Sequence, residues 1–484
     1  MEKLQPIGDT ILSVFSQLID FGNTYIGTYL LIVLLLIAGL YFSFKTNFVQ
    51  FRMMKEMFKL LGDGVGKSSN DGKVSSFQAF CISTASRVGT GNIAGVALAI
   101  AVGGPGSVFW MWIIALIGGA SSFIESTLAQ IYKVKDPSGS YRGGPAYYIE
   151  KGLNKRWLGL VFSILITITF GFVFNAVQAN TITEAFQTAF GMDKLFVGIA
   201  LAIFTAIIIF GGIQRIAKVS EIIVPILAVA YVLVAILVIV LNITKVPAMI
   251  GLIISNAFDF TSFASGAFGV MFIQGVKRGL FSNEAGMGSA PNAAATAEVS
   301  HPVQQGLIQT LGVFTDTILI CSCTAFVILL SGTHSDSSLT GIQLTQAALT
   351  SQIGILGNYF IALCILLFAF SSIVGNYYYG ESNIEFMSNN KLWLMAYRII
   401  VVGMIIFGAL TKVDIVWNLA DLFMSFMAIV NLIAILLLGK FAFRALKNYT
   451  DQKKQGIENP TFKASDIEGL TNVAEWKSQK SSCS

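Results

Sequence analysis

Two glycine-rich stretches place charged and polar residues inside runs apolar enough to cross a membrane. The first, TASRVGTGNIAGVALAI from Thr84 to Ile100, carries Arg87 and then Gly89, Gly91 and Gly95. The second, GVMFIQGVKRGLFSNEAGMGSAP from Gly269 to Pro291, carries Lys277, Arg278 and Glu284 among its glycines. Glycine inside a helix costs about 1 kcal/mol against alanine and admits backbone conformations that other residues resist, so a cluster lets the helix unwind. Unwound backbone at membrane depth is tolerated only where it lines a cavity or is buried in protein. There, freed carbonyls coordinate a cation, and N–H groups at a half-helix N-terminus hold a carboxylate. One short break thus supplies both a sodium site and an amino-acid carboxylate site. Gly91-x-x-x-Gly95 also fits a small-residue helix-packing motif, but a second interrupted span at a mirrored position favours the broken helix.

Other spans offer side chains to complete such a cavity. GFVFNAVQANT supplies Phe174 and Gln178, four apart on one helix face, with Asn175 beside them. FAFSSIVGNYYYGE supplies Ser371, Ser372 and Asn376, and serine hydroxyls beside backbone carbonyls make a hard-oxygen site suited to sodium. The bland reading of each is hydrogen bonding between helices. Arg87, Lys277, Arg278 and Glu284 are expensive in a membrane and are expected to face protein or water and to pair with acids, Glu125 being a candidate. They fit gating latches as well as substrate contacts.

The elements that must position these residues are membrane helices. Of the residues 55% are hydrophobic and 12% charged, and the mean hydropathy is +0.73, against roughly one-quarter charged content in soluble domains. The chain reads as an all-α polytopic membrane protein. Its net charge of +5 does not make a nucleic-acid binder, because the basic residues fall in loops and in the tail rather than in one patch. With about twenty apolar residues per span, eleven candidates appear: about 28–45, 77–101, 105–132, 157–188, 194–212, 220–243, 264–287, 304–331, 354–379, 392–410 and 414–440.

Lysine and arginine orient these spans. Lys45, Arg52, Lys55, Lys59, Lys67 and Lys73 follow the first, and Lys133, Lys135, Arg142, Lys151, Lys155 and Arg156 separate the third from the fourth. Both segments are expected in the cytoplasm, with Arg215, Lys218 and the tail residues Arg444, Lys447, Lys453 and Lys454, whereas 332–353, without lysine or arginine, falls outside. The N-terminus is then outside and the C-terminus cytoplasmic. The amphipathic NFVQFRMMKEMFKLLG is expected along the interface. The ten later spans form two groups of five with opposite orientation, each opened by a glycine-rich span, which is an inverted-topology repeat. Residues 1–76 thus hold an extra helix and the interfacial segment, 77–243 and 244–440 the two repeats, and 441–484 a polar tail.

Several other chemistries fail on the residues. LLGDGVGKSS has Leu61 where a phosphate-binding loop needs glycine, and no strand precedes it. His301 and His334 are far apart, no serine nucleophile elbow occurs, and Cys321-Ser322-Cys323 lacks zinc-site spacing. Cys81, Cys321, Cys323 and Cys364 read as apolar fillers, with Cys483 in the tail and no disulfide framework. The N-terminal MEKLQPIGDTILSVF lacks a signal-peptide pattern. No enzyme, nucleotide, cofactor or transition-metal site is expected. An ion channel would need a continuous filter, and paired breaks in an inverted repeat argue against one.

The blocks GTGNIAGVALAIAVGGPGSVFWMW, GGPAYYIEKGL, KRGLFSNEAGMGSAPNAAATAEVSHPVQQG and NYYYGE resemble the alanine or glycine:cation symporters of bacteria and archaea, from the first span to the last. The resemblance implies a symporter of small neutral amino acids, sodium-coupled or in some members proton-coupled, with the leucine-transporter fold of five plus five helices and one extra N-terminal helix. It implies that Thr90, Gly91 and Asn92 meet the substrate carboxylate and that the carbonyls of Ala85 and Val88, with the hydroxyls of Ser371 and Ser372, hold sodium. Gln178 would reach the substrate, and Phe272 and Gly275 would line the pocket at the break of the sixth core helix.

One departure bears on the substrate. Family members that favour alanine commonly have tryptophan just before Tyr-Tyr-Gly-Glu, where this chain runs Asn376-Tyr377-Tyr378-Tyr379-Gly380-Glu381. An amide in the tryptophan's place makes the pocket longer and more polar. A site built to hydrogen-bond an amide also rejects analogues that lack one. Glutamine ahead of asparagine, or a mixed specificity that retains alanine, is therefore expected. The tail FKASDIEGLTNVAEW also resembles the glutamine-transporting members.

Overall fold

The computed structural model describes residues 17–65, 74–136, 139–259 and 266–476. The N-terminal MEKLQPIGDTILSVF, Lys67, Lys73, Cys483 and the side chain of Arg215 lie outside the described residues. The chain is mostly helical. We label Gln17–Lys45 α1, Met54–Gly64 α2, Ser76–Arg87 α3, Gly91–Gly103 α4, Gly106–Ile131 α5, Pro145–Leu153 α6, Arg156–Phe190 α7, Lys194–Ile209 α8 and Gly212–Leu241 α9. Val246–Ala257 is α10, Ala267–Asn283 α11, Ala290–Thr296 α12, Pro302–Ser331 α13, Gly341–Ile353 α14, Ile355–Met387 α15, Lys391–Leu410 α16 and Val413–Lys454 α17.

Among the described residues eight helices are long and apolar enough to cross a membrane, or nine if α3 and α4 count as one span bent by 49°. Two of the eleven expected spans fall short of that length. The expected 194–212 is the 16-residue α8, roughly 24 Å long against a hydrocarbon core of ~30 Å. The expected 264–287 is the 17-residue α11, which carries Lys277 and Arg278 and stops at Asn283; residues 264 and 265 lie outside the described residues. Four further helices, α6, α10, α12 and α14, occupy stretches expected as connections.

Helix α3 starts from a capping box in which Ser75 and Gln78 exchange side-chain and backbone hydrogen bonds. It ends where Val88 turns extended (φ −81°, ψ 93°). The bend follows from packing as well as from glycine flexibility, since a Cβ on Gly89 would lie 2.2 Å from Ser372 Oγ. The second interruption begins at Glu284, which takes a left-handed φ of 57°, and continues through Gly286 (83°) and Gly288 (87°) before α12. Its freed N–H groups are satisfied from α5, where Glu125 accepts from Gly286 N and Gly288 N, both at 3.1 Å. Buried backbone donors need such partners.

The tail is not a free polar extension. Helix α17 runs unbroken to Lys454, and the chain beyond it returns to bury Phe462, Ile467 and Val473. Trp476 Nε1 donates to Gln130 O at the end of α5 (2.8 Å), and Phe462 N donates to Ser300 O (3.1 Å).

Candidate functional site

The break between α3 and α4 is gripped by α15 and α7. Ser372 Oγ, on α15, lies 2.9 Å from Ala85 O, 3.3 Å from Val88 O and 3.1 Å from Phe368 O. One hydroxyl proton cannot serve three carbonyls, so the cluster presents surplus oxygen lone pairs in a buried place, the donor set a hard cation takes. Ser371, expected beside it, turns its hydroxyl to Phe368 O of its own helix (2.8 Å). Gln178 Oε1, on α7, accepts from Thr90 N (3.1 Å). Phe174, one turn earlier, packs at 4.6 Å between ring centroids against Phe281 of α11.

Asn92 spends its whole side chain on protein. Its Oδ1 accepts from Gly89 N (2.9 Å), and its Nδ2 donates to Asp316 Oδ1 (2.6 Å) and Ser282 Oγ (3.0 Å). Its backbone N–H and those of its neighbours at the start of α4 have no helical carbonyls behind them. Asn376 is fully buried and pairs its Oδ1 with Ser86 Oγ (2.7 Å), while its Nδ2 has no partner among the described residues. The buried Thr90 Oγ1 is likewise unpartnered among them.

The second break lies elsewhere than expected. Helix α11 passes unbroken through Phe272 and Gly275. Gly275 is small for close packing on α5, since a Cβ there would lie 2.6 Å from Trp110 Cβ and 2.7 Å from Ser107 O. Phe272 meets Trp110 edge-on at 4.9 Å. Neither is brought to Gly89–Asn92. The residues of α11 that reach that turn are Phe281 and Ser282, 2.9 and 3.2 Å from where a Cβ on Gly91 would stand. Sequence reading missed both, because several glycines on α11 gave the break no unique register.

The buried charges sort unevenly. Arg278 pairs with Asp421 of α17 and stacks on Trp417 at 4.8 Å, while Lys277 Nζ reaches Asn23 O (3.5 Å). Arg87 does not pair with Glu125, whose oxygens are taken by Gly286, Gly288 and Asn431. It donates through Nη1 to Gln309 O (3.2 Å). Glu284 accepts from Ser86 (2.8 Å) and Ser289 (2.5 Å). Asp316 passed unnoticed in the sequence, although an acid inside an apolar span is itself a signal of function. Cys321, expected as apolar filler, touches the same polar group, with Sγ 3.0 Å from Ser282 Oγ.

Above this knot opens a cavity of about 600 Å³ lined by Thr181, Glu184, Gln274, Arg278, Trp417 and Asp421. Trp417 and Phe281, 4.8 Å apart, separate it from the Gly89–Asn92 turn.

Apolar spans around a buried, broken helix whose freed backbone is gripped from two sides are those of a multi-pass membrane protein, in an arrangement that transporters use. Residues 12–464 match the sodium:alanine symporter family, and the chain belongs to it. It is 56% identical over 96% of its length and 96% of the other chain to a protein of Bacillus subtilis described as a probable sodium/glutamine symporter, GlnT. It is 54% identical to the amino-acid carrier protein AlsT of the same organism, over 97% of this chain and 99% of that one. Identity is 37% to the sodium/alanine symporter AgcS of Methanococcus maripaludis, over 92% and 99%.

Proposed function

We propose that this protein is a sodium-driven symporter of glutamine, with alanine as a poorer substrate, working by alternating access in a bacterial cytoplasmic membrane. The observation that carries the sodium reading is the convergence of Ala85 O, Val88 O and Phe368 O on the single hydroxyl of Ser372. Ser371 would join after a rotamer change. The α-carboxylate would sit on the N–H groups of Gly91 and Asn92 with the Thr90 hydroxyl, and the side chain would run along Phe174, Gln178 and Phe281 towards Asn376. The buried, unpartnered Asn376 Nδ2 and Thr90 Oγ1 suit a carboxamide oxygen and a carboxylate, and the similarity to GlnT points the same way. The five-plus-five repeat, an outer N-terminus and a cytoplasmic tail complete the reading, supported by the mirrored breaks and by the basic residues of the expected inner loops.

The test is uptake of labelled glutamine and alanine into proteoliposomes, with and without an inward sodium gradient. Sodium-driven glutamine uptake exceeding alanine uptake is expected, with Asn376→Trp lowering the glutamine-to-alanine ratio at least tenfold. An unchanged ratio in that variant removes Asn376 from specificity, and uptake indifferent to sodium removes the coupling.

A further inference from the structure

Asp316 is fully buried in α13, and none of its oxygens forms an ion pair among the described residues. Its Oδ1 accepts from Asn92 Nδ2 (2.6 Å), and its Oδ2 accepts from Ser282 Oγ (2.5 Å) and Thr317 Oγ1 (3.1 Å). The contacts join α13 to α4 and α11, the helices that flank the two breaks. Burying a carboxylate in this way is costly, and its contacts point along one path. An ionised carboxylate only accepts, so the Asn92 amide must turn Nδ2 towards it and Oδ1 away. That outward Oδ1 takes the Gly89 N–H at 2.9 Å.

The Gly89 N–H is the donor that a continuing α-helix would give to Ala85 O, four residues back. The preceding donor, Val88 N, still bonds Thr84 O at 2.8 Å, so the ladder stops where Asn92 intervenes. Ala85 O, deprived of its ladder donor, faces the Ser372 hydroxyl instead. The path therefore runs from Asp316 through Asn92 and Gly89 to a carbonyl of the proposed cation site. If the amide turned over, Gly89 N could return to Ala85 O, the helix would extend by one residue, and the carbonyl would be lost to a cation.

We propose that Asp316 is a positioning residue for sodium. Acting through Asn92, its carboxylate keeps the Gly89 N–H off Ala85 O and so holds that carbonyl open for the ion. The inference rests on the sodium reading of the Ser372 cluster. It locates the control of that cluster in a side chain on a different span, one that does not touch the ion.

The experiment exchanges donor and acceptor. Full-length wild type, Asp316→Asn, Asn92→Asp and the double variant Asn92→Asp/Asp316→Asn are reconstituted, and amino-acid uptake is measured as a function of sodium concentration. In Asp316→Asn the amide oxygen still meets Asn92 Nδ2, but as a weaker, neutral acceptor. Its half-saturating sodium concentration should rise about tenfold while the maximal rate at saturating sodium stays within about twofold. Asn92→Asp sets two carboxylates face to face and should lose uptake a hundredfold or more. The double variant restores one donor opposite one acceptor and should return to within about threefold of wild type.

Hydrogen–deuterium exchange over residues 84–95, on detergent-purified protein, reads the same path without transport. That segment should be protected in wild type and in the double variant, and should exchange at least tenfold faster in Asn92→Asp. A double variant no better than Asn92→Asp in both measurements, or Asp316→Asn with wild-type sodium dependence, overturns the proposal. Wild-type uptake without sodium dependence would instead overturn the sodium reading, and with it the role assigned to Asp316, even if the exchange pattern showed the path itself intact.

Discussion

At the scale of single residues, the geometry turns on atoms that have no room. Gly89 stands where any side chain would meet Ser372 Oγ at 2.2 Å, and a contact that short forces the backbone or α15 to shift. Gly89→Ala is therefore expected to abolish sodium-driven uptake while the protein still inserts and remains monodisperse. Uptake of labelled substrate together with size-exclusion profiles checks this, and near-normal uptake would mean that the grip of Ser372 is incidental. Gln178, Ser372 and Asn376 stood out by residue type and helical spacing, because each is a polar residue on an otherwise apolar span. Phe281 did not, since one phenylalanine in a helix of many apolar residues carries no local mark of packing against the Gly89–Asn92 turn.

At the scale of elements, both interruptions are held by side-chain hydrogen bonds, most of them from other helices. Glu125 of α5 supports the break after α11, and Asn92, Gln178 and Ser372 hold the break after α3. Helix α13 shows the same economy at its start, where His301 Nδ1 accepts the Val303 N–H at 3.2 Å as an N-cap, a role open only to the neutral ring. Burial pushes the His301 pKa down to about 4, against the opposing hydrogen bond with Asn448. A histidine held below its ordinary value stabilises the fold fully above about pH 6.5, and that stability is lost as pH falls towards 4. Thermal unfolding in detergent should therefore show a loss on the order of 2–3 kcal/mol between those pH values. His301→Asn, which keeps an acceptor for the cap but does not titrate, should flatten that part of the profile. An unchanged profile would place the acid sensitivity elsewhere.

At the scale of the whole molecule, Trp417 lines the cavity and packs on Phe281, which in turn lies against Gly91 of the polar turn. The tail joins the end of α5 to the segment before α13 through Trp476 and Phe462. A neutral amino acid moving with one sodium ion carries one net charge across the bilayer, worth about 2.3 kcal/mol per 100 mV. With equal sodium on both sides, an inside-negative potential of about 100 mV should thus raise steady-state accumulation in proteoliposomes roughly fiftyfold. Valinomycin-set potassium potentials make the measurement. Accumulation indifferent to potential would mean electroneutral exchange.

The sequence by itself determined that the chain crosses a membrane many times, that a span breaks near Gly89, and that Ser372 and Gln178 are polar residues set into apolar spans. Hydropathy, glycine clustering and four-residue spacing are local quantities, and they survive without knowledge of the fold. Only the tertiary structure decided where α11 breaks, because the packing of Gly275 on Trp110 and the Glu125 carboxylate under Gly286 and Gly288 select one register among several glycines. It alone decided that Arg278 belongs to Asp421 and that Asp316 stands behind Asn92. Those contacts join residues more than a hundred positions apart in sequence, and a buried polar group takes whichever partner packing brings within hydrogen-bond reach.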